Sequence, residues 1–167
     1  MLKPKVLEAL NKQIQHEMQN SHIYLATSLW LDQQLLKGLA AWFKKQSGEE
    51  TGHATRSIDY VLDSNESPKL MGLDAPKNSY GSVLDAVKAA HALERKTTAM
   101  INDLCNLAAK EGDLATVEAM QWFIKEQVEE EKWTEEFLLM ATKIGDHVGS
   151  MFMWDHRVSK LAEGGGD

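Results

Sequence analysis

The sequence predicts an all-α protein: a four-helix bundle with a long crossover between its second and third helices and a short fifth helix. Three observations carry this reading. Four long stretches place apolar residues at steps of three and four, the period of an amphipathic helix. Only 3 of the 167 residues are proline, so little interrupts those stretches. One polar segment, "DSNESPKLMGLDAPKNSYGS", divides the four stretches into two pairs.

The first helix is expected over about residues 5–35, with an inner stripe of Leu7, Leu10, Ile14, Glu17, Ser21, Tyr24, Ser28 and Leu31. Lys37 and Gly38 mark a break. The second is expected over about 39–62, with Leu39, Phe43, Gln46, Glu50, His53, Ser57 and Tyr60 inward. The polar segment follows. A helix of about 26 residues is roughly 39 Å long, and about 18 loop residues can reach roughly 60 Å. That segment is longer than an antiparallel turn needs and can run the length of the bundle, which makes helices two and three parallel.

The third helix is expected over about 83–110, with Leu84, Val87, His91, Glu94, Thr98, Ile101, Cys105 and Ala108 inward. "EGD" breaks it. The fourth is expected over about 114–144, with Phe123, Gln127, Glu130, Thr134, Phe137 and Ala141 inward. Gly145 and Asp146 precede a short fifth helix over about 147–161. Met151, Phe152, Met153 and Trp154 crowd that helix, more than one chain can cover, which favours burial between subunits. Residues 1–162 form one domain, and 163–167 are a Gly-rich tail expected to be flexible.

A net charge of −7 argues against a nucleic-acid partner and fits a protein that attracts cations. The single cysteine, Cys105, makes no internal disulfide and fits a reducing compartment. The opening "MLKPKVLEAL" holds no long apolar run, so neither a leader nor a membrane span is expected, and a cytoplasmic location is.

Each inner stripe carries a carboxylate near its middle: Glu17, Glu50, Glu94 and Glu130. Glu17 lies about 19 residues before the first break, and Glu50 and His53 about 14 and 17 after it. Glu94, Gln127 and Glu130 repeat those offsets around "EGD". All should meet at mid-bundle, within about one 5 Å turn. A lone inward glutamate is usually a misphased surface residue. Four at one depth, with a histidine one turn on and no Lys or Arg on the stripes, would repel one another unless cations bind. Glutamate oxygens with one imidazole nitrogen suit iron or manganese first, then zinc. Glu50 can bridge two ions, one held with Glu17 and His53, the other with Glu94 and Glu130.

These residues resemble those of the ferritin family, and within it the bacterial non-haem ferritins. Ferritin-like di-metal bundles place one Glu on each of two helices and Glu-x-x-His on the others. Glu17, Glu94 and the "ETGH" of Glu50 to His53 follow that pattern. The fourth helix departs, with Gln127 and Glu130 in "QVEE", and its "EQVEEEK" run over 126–132 is similar to the bacterial ferritin segment. The resemblance covers almost the whole chain. It implies a ferritin-like four-helix bundle assembled as a homo-24-mer, a hollow shell that oxidises Fe(II) with O2 and stores Fe(III) mineral. It also implies a third iron site on Glu49, Glu126, Glu129 and Glu130.

The resemblance further implies that Tyr24 donates an electron near the di-iron centre and that Trp122 assists it. A packed core tyrosine and tryptophan are the alternative reading. Thr51 and Gly52 follow Glu50 where bacterioferritin carries its haem-binding methionine, so no haem is expected. The region "DLATVEAMQW" offers only Asp113 and Glu118 as acids, unlike the pore-lining segment of animal ferritins. His91 is expected to be a core or supporting histidine. A di-iron or di-manganese oxidase with a retained cofactor is the rival function, and it would want a second histidine in place of Glu130. A rubrerythrin-type peroxidase would need a Cys-rich segment, and a metal-free interaction bundle leaves the inward acids unexplained.

Overall fold

The computed structural model describes residues 2–164. Met1 and residues 165–167, the end of the tail expected to be flexible, lie outside the described residues. Five helices follow in order: α1 over Pro4–Gln33, α2 over Lys37–Asp63, α3 over Val83–Lys110, α4 over Leu114–Ile144 and α5 over Val148–Ala162. No helix among the described residues is long and apolar enough to cross a membrane.

Local chemistry sets most of the helix ends. Pro4 opens α1, where its missing N–H costs nothing. Ser82 caps α3 by accepting from the Asp85 N–H, and Asp113 caps α4 by accepting from the Thr116 N–H. Helices α1, α2 and α3 all stop by one device. A residue in the left-handed region lets the next N–H reach back to a carbonyl of the last turn: Leu36 to Leu31, Glu66 to Val61 and Asp113 to Ala108. Gly112 (φ 70°) and Asn65 (φ 58°) adopt that conformation cheaply, whereas Leu35 (φ 62°) does so under strain.

The start of α2 has no local side-chain cap. Its orphan N–H groups are satisfied from a distance: Gly38 and Leu39 donate to the buried Asp155 carboxylate of α5 at 3.1 and 2.7 Å. The close approach requires glycine. A Cβ on Gly38 would sit 1.9 Å from the Asp155 carbonyl oxygen.

Two apolar clusters fill the ends of the bundle. One gathers Leu31, Leu39, Phe43, Val87, Phe137 and Trp154, from the end of α1, the starts of α2 and α3, the end of α4, and α5. The other gathers Leu10, Ile14, Val61, Ile101, Leu104 and Met120, from the opposite ends of those four long helices. The first halves of α2 and α3 therefore share one end, so the two helices run parallel, as the loop length predicts. The connecting segment climbs along α1. Lys69 N–H donates to Asn11, Gln15 donates to the Gly72 carbonyl, Gln19 exchanges two hydrogen bonds with Asp74, and Tyr80 meets Thr27.

The stripe expected for α4 is buried at every position, Phe123 to Ala141. The stripe of α3 is turned by one residue along part of its length. Ala90, Thr97 and Leu104 are buried where His91, Thr98 and Cys105 were expected, and the latter three are half-buried. Small Ala86 and Ala90 and polar Thr97 form the face that α3 buries, and Thr97 meets His16 and Asn20 of α1. On α5, Trp154 is buried against Phe137 of the same chain, with ring centroids 5.3 Å apart. Met151 is half-buried, and Phe152 and Met153 remain exposed, 47% and 76%.

Candidate metal centre

Between the two apolar clusters lies a polar belt. Glu17, Glu50, Glu94 and Glu130 project into it from all four long helices and are at most 4% exposed. Long amphipathic helices of matched length bring them to one level, because each sits near the middle of its own stripe. Among the described residues none of the four pairs with a lysine or arginine.

One ligand atom from each of Glu17, Glu50 and His53 lies within 4.8 Å of the others, all three residues being buried. His53 Nδ1 is 3.9 Å from Glu50 Oε1. The spacing follows from the helix: residues three apart stand one turn apart on one face. A second set at the same spacing joins His53 to Glu126 and Glu130. Glu94 belongs to neither set.

Neutral donors hold one oxygen of Glu17, Glu50 and Glu130 and both oxygens of Glu94. Gln13 donates to Glu17 Oε1 at 2.6 Å, and Asn20 donates to Glu50 Oε2 at 3.2 Å. Tyr24 donates to Glu94 Oε1, and Gln127 donates to Glu94 Oε2 at 3.2 Å. Trp133 donates its indole N–H to Glu130 Oε2 at 2.5 Å. Glu17 Oε2 and Glu50 Oε1, in contrast, are buried with no partner. Two orphaned carboxylate oxygens beside a neutral imidazole are a donor set for a hard or borderline cation.

The electrostatics agree. Burial pushes Glu17 upward and Glu50 well above the usual carboxylate range, and for Glu50 the nearby Glu17 adds to the shift. Burial raises Glu94 to about 7, against the hydrogen bonds from Tyr24 and Gln127. Burial and then Glu94 raise Glu130 to about 8. Burial lowers His53 to about 4, so its ring is neutral and able to coordinate at neutral pH. Without a cation the belt stores protons on its acids. A divalent ion would displace them and supply the missing positive charge.

The other residues singled out in the sequence fall around this centre. Tyr24 is fully buried on Glu94, with its ring 5.7 Å from Phe43 and 6.3 Å from Trp133. Trp122 is half-buried, its ring 5.4 Å from His53 and covered by the Arg56 guanidinium at 4.3 Å. Glu49, Glu126, Glu129 and Glu130 line one cleft of about 460 Å³ with Trp42 and Trp133. Within it Glu49 is tied to Gln46 at 2.6 Å and Lys45 at 3.7 Å, and Glu129 is exposed. His91 hydrogen-bonds Thr134 at 3.2 Å and takes a supporting place.

Three contributors were not found from the sequence: Gln13, Asn20 and Trp133. Gln13 and Asn20 stand four before and three after Glu17, and Trp133 three after Glu130, the offsets at which helical side chains meet. That spacing was the signal available for them.

Comparison with known proteins gives the same answer by a separate route. The family model for the ferritin-like domain matches residues 7–143. The chain is 32% identical over 159 residues to a bacterial non-heme ferritin of Staphylococcus haemolyticus, covering 95% of this chain and 96% of that protein. It is 32% identical over 155 residues to one of Staphylococcus aureus, covering 93% of each. Among solved structures, an open pore ferritin from the hyperthermophilic archaeon Archaeoglobus fulgidus superposes with a TM-score of 0.93 at 31% identity, over 95% of this chain and 98% of that one. A closed form engineered from the same ferritin superposes equally, with a TM-score of 0.93 at 31% identity over 95% and 97% of the two chains. With the family model matching most of its length and relatives about 32% identical across nearly all of it, this chain belongs to the ferritin family.

Proposed function

We propose that this protein stores iron and is a ferroxidase, oxidising Fe(II) with O2 at a dinuclear centre and keeping the Fe(III) as an oxyhydroxide mineral inside a cytoplasmic shell of 24 copies. The observation that carries the reading is the belt of four buried carboxylates, none paired with a lysine or arginine among the described residues, with Glu17 and Glu50 each keeping one orphaned oxygen and a ligand atom of each residue within reach of His53. One Fe(II) is bound by Glu17, Glu50 and His53, and a second by Glu50, Glu94 and Glu130, so that Glu50 bridges them. Each Fe(II) gives one electron, and the two together reduce O2, with two protons, to hydrogen peroxide. Carboxylate oxygens favour the harder Fe(III) and so ease its formation.

In this reading Tyr24, hydrogen-bonded to Glu94, gives an electron to the reduction of O2, and Trp122, against His53, assists it. The cleft bearing Glu49, Glu126, Glu129 and Glu130 serves as a third iron site on the way to the mineral. His53 reaches toward Glu126 and Glu130 as well as toward Glu17 and Glu50, which makes it the hinge between the two locations. The second ion site, with Glu130 where a second histidine would stand, holds iron loosely enough for it to move on.

The test is particle size with iron content after aerobic Fe(II) addition. A shell of about 24 chains holding far more than three irons per chain is expected from the family architecture. A monodisperse monomer of 18.7 kDa, or iron that stops at the ligand stoichiometry, overturns storage.

A further inference from the structure

Asn20 stands at a junction that the proposed reaction does not use. It is fully buried, and its Nδ2 lies 3.2 Å from Glu50 Oε2 and 3.1 Å from Thr97 Oγ1. The Thr97 hydroxyl gives its single proton to the Leu93 carbonyl at 3.1 Å, so it accepts from Asn20 and from His16 Nε2, the latter at 2.8 Å. His16 and Thr97 are themselves buried. The amide is assigned with Nδ2 toward Glu50 and Thr97, which leaves Asn20 Oδ1 buried without a partner. Glu50 is thus gripped by one oxygen through a chain of buried groups on α1 and α3. Its other oxygen, Oε1, has no partner and faces His53.

We propose that Asn20 is a positioning residue that sets the order in which the two ions bind. The inference rests on the dinuclear reading above. With Oε2 held, Glu50 offers Oε1 at once to the ion that Glu17 and His53 share. A second ion at Oε2 draws on the same oxygen that Asn20 holds, so the second binding step weakens a hydrogen bond that the first step leaves intact. The donor set alone would separate the two affinities by its single imidazole, and the Asn20 grip widens that separation.

The experiment is anaerobic titration of the assembled protein with Co(II), read by calorimetry and by the visible spectrum of the bound ion. Wild type should show two unequal steps. In Asn20→Ala the ratio of the two dissociation constants should narrow about tenfold, the worth of one hydrogen bond to a charged acceptor. The Co(II) spectrum of the first step should also change, which a general loss of stability would not cause. Thr97→Val keeps the shape and removes the anchor behind Asn20, and should narrow the ratio less. If Asn20→Ala fails to assemble, Thr97→Val alone decides. Unequal steps in wild type with an unchanged ratio in the variants overturn the role of Asn20 and leave the dinuclear reading standing. If wild type itself binds no pair of ions, both fall.

Discussion

The two helical hairpins each supply half of the proposed metal centre, and the halves are differently prepared. On the α1–α2 side, Glu17 and Glu50 each keep one buried oxygen without a partner, and His53 completes a compact set. On the α3–α4 side, both oxygens of Glu94 are engaged, by Tyr24 and Gln127, and one oxygen of Glu130 is held by Trp133. The first half offers oxygens with no other partner, whereas on the second an ion shares Glu94, and one oxygen of Glu130, with hydrogen bonds already in place. An unsatisfied buried oxygen is costly, so the first half gains more from binding. The difference argues for sequential loading of a centre that a count of ligands would call nearly symmetric.

The strongest way to break the comparison is to remove the residue that both halves share. Glu50→Ala takes a proposed ligand from each ion. O2 must receive electrons from both ions together, so the fast phase of oxidation should disappear. The loss should exceed the roughly 10–100-fold that follows removal of an outer supporting partner. Stopped-flow absorbance with oxygen consumption measures it, and a fast phase that survives at near-normal rate contradicts the bridge.

His53→Ala attacks the prepared half alone. Fe(II) affinity of the first step should fall more than about tenfold, while the Glu94–Glu130 step shifts less, so the order of filling becomes even or inverts. Anaerobic Fe(II) titration with spectroscopic site discrimination reads this directly. A variant that still fills the α1–α2 half first would mean that the orphaned oxygens, not the imidazole, set the order.

The helices and the inward carboxylates were legible in the sequence, whereas the state of each carboxylate oxygen was not, and the reasons differ by element. Helix α4 could be phased residue by residue, since Phe123, Phe137 and Ala141 fix its inner stripe and Gln127 and Glu130 fall on it. Helix α3 could not. Alanines and threonines stand on both sides of its true stripe, and only the approach of α1, through His16 and Asn20 to Thr97, reveals which one faces in. The carboxylates were found because charge on an apolar stripe stands out. Gln13 and Asn20 were not, because a neutral polar residue on a long helix reads as surface until its neighbours are known. The grouping of His53 with Glu126 and Glu130 required the packing of α2 on α4.

The protonated acids make a prediction for the metal-free protein. The folded state keeps protons on Glu94 up to about pH 7 and on Glu130 up to about pH 8, whereas the unfolded chain releases them near the ordinary carboxylate range. These groups therefore stabilise the fold fully below that range and lose their contribution as pH rises through the folded values. His16 and His53, lowered to about 4, act in the other direction, and their contribution is complete once pH exceeds the unfolded histidine value. From about pH 6.5 to 8 the loss from the acids outweighs the remaining gain from the two histidines, and the metal-free protein should lose on the order of 2 kcal/mol per chain. Calorimetry across that range should show Tm falling. Divalent cation should abolish the slope by taking the place of the protons, and a slope that persists with metal bound would put its origin elsewhere.

The finest adjustment lies at Trp133. Its indole N–H holds Glu130, while its ring packs at 5.1 Å from Phe137 and 5.9 Å from Phe43. Trp133→Phe keeps an aromatic ring among those partners and deletes only the donor, so Glu130 Oε2 joins the free oxygens and the α3–α4 half comes to resemble the α1–α2 half. The second Co(II) step should then tighten by about three- to tenfold, the net worth of one ordinary hydrogen bond, with the first step unchanged. The direction is the informative part. If loss of the donor merely loosened the site, the second step would weaken, and the hydrogen bonds of the α3–α4 half would be supports for the bound ion rather than competitors with it. A tightened second step, with the first unmoved, would show that the asymmetry of the centre is set by which oxygens the protein has already engaged.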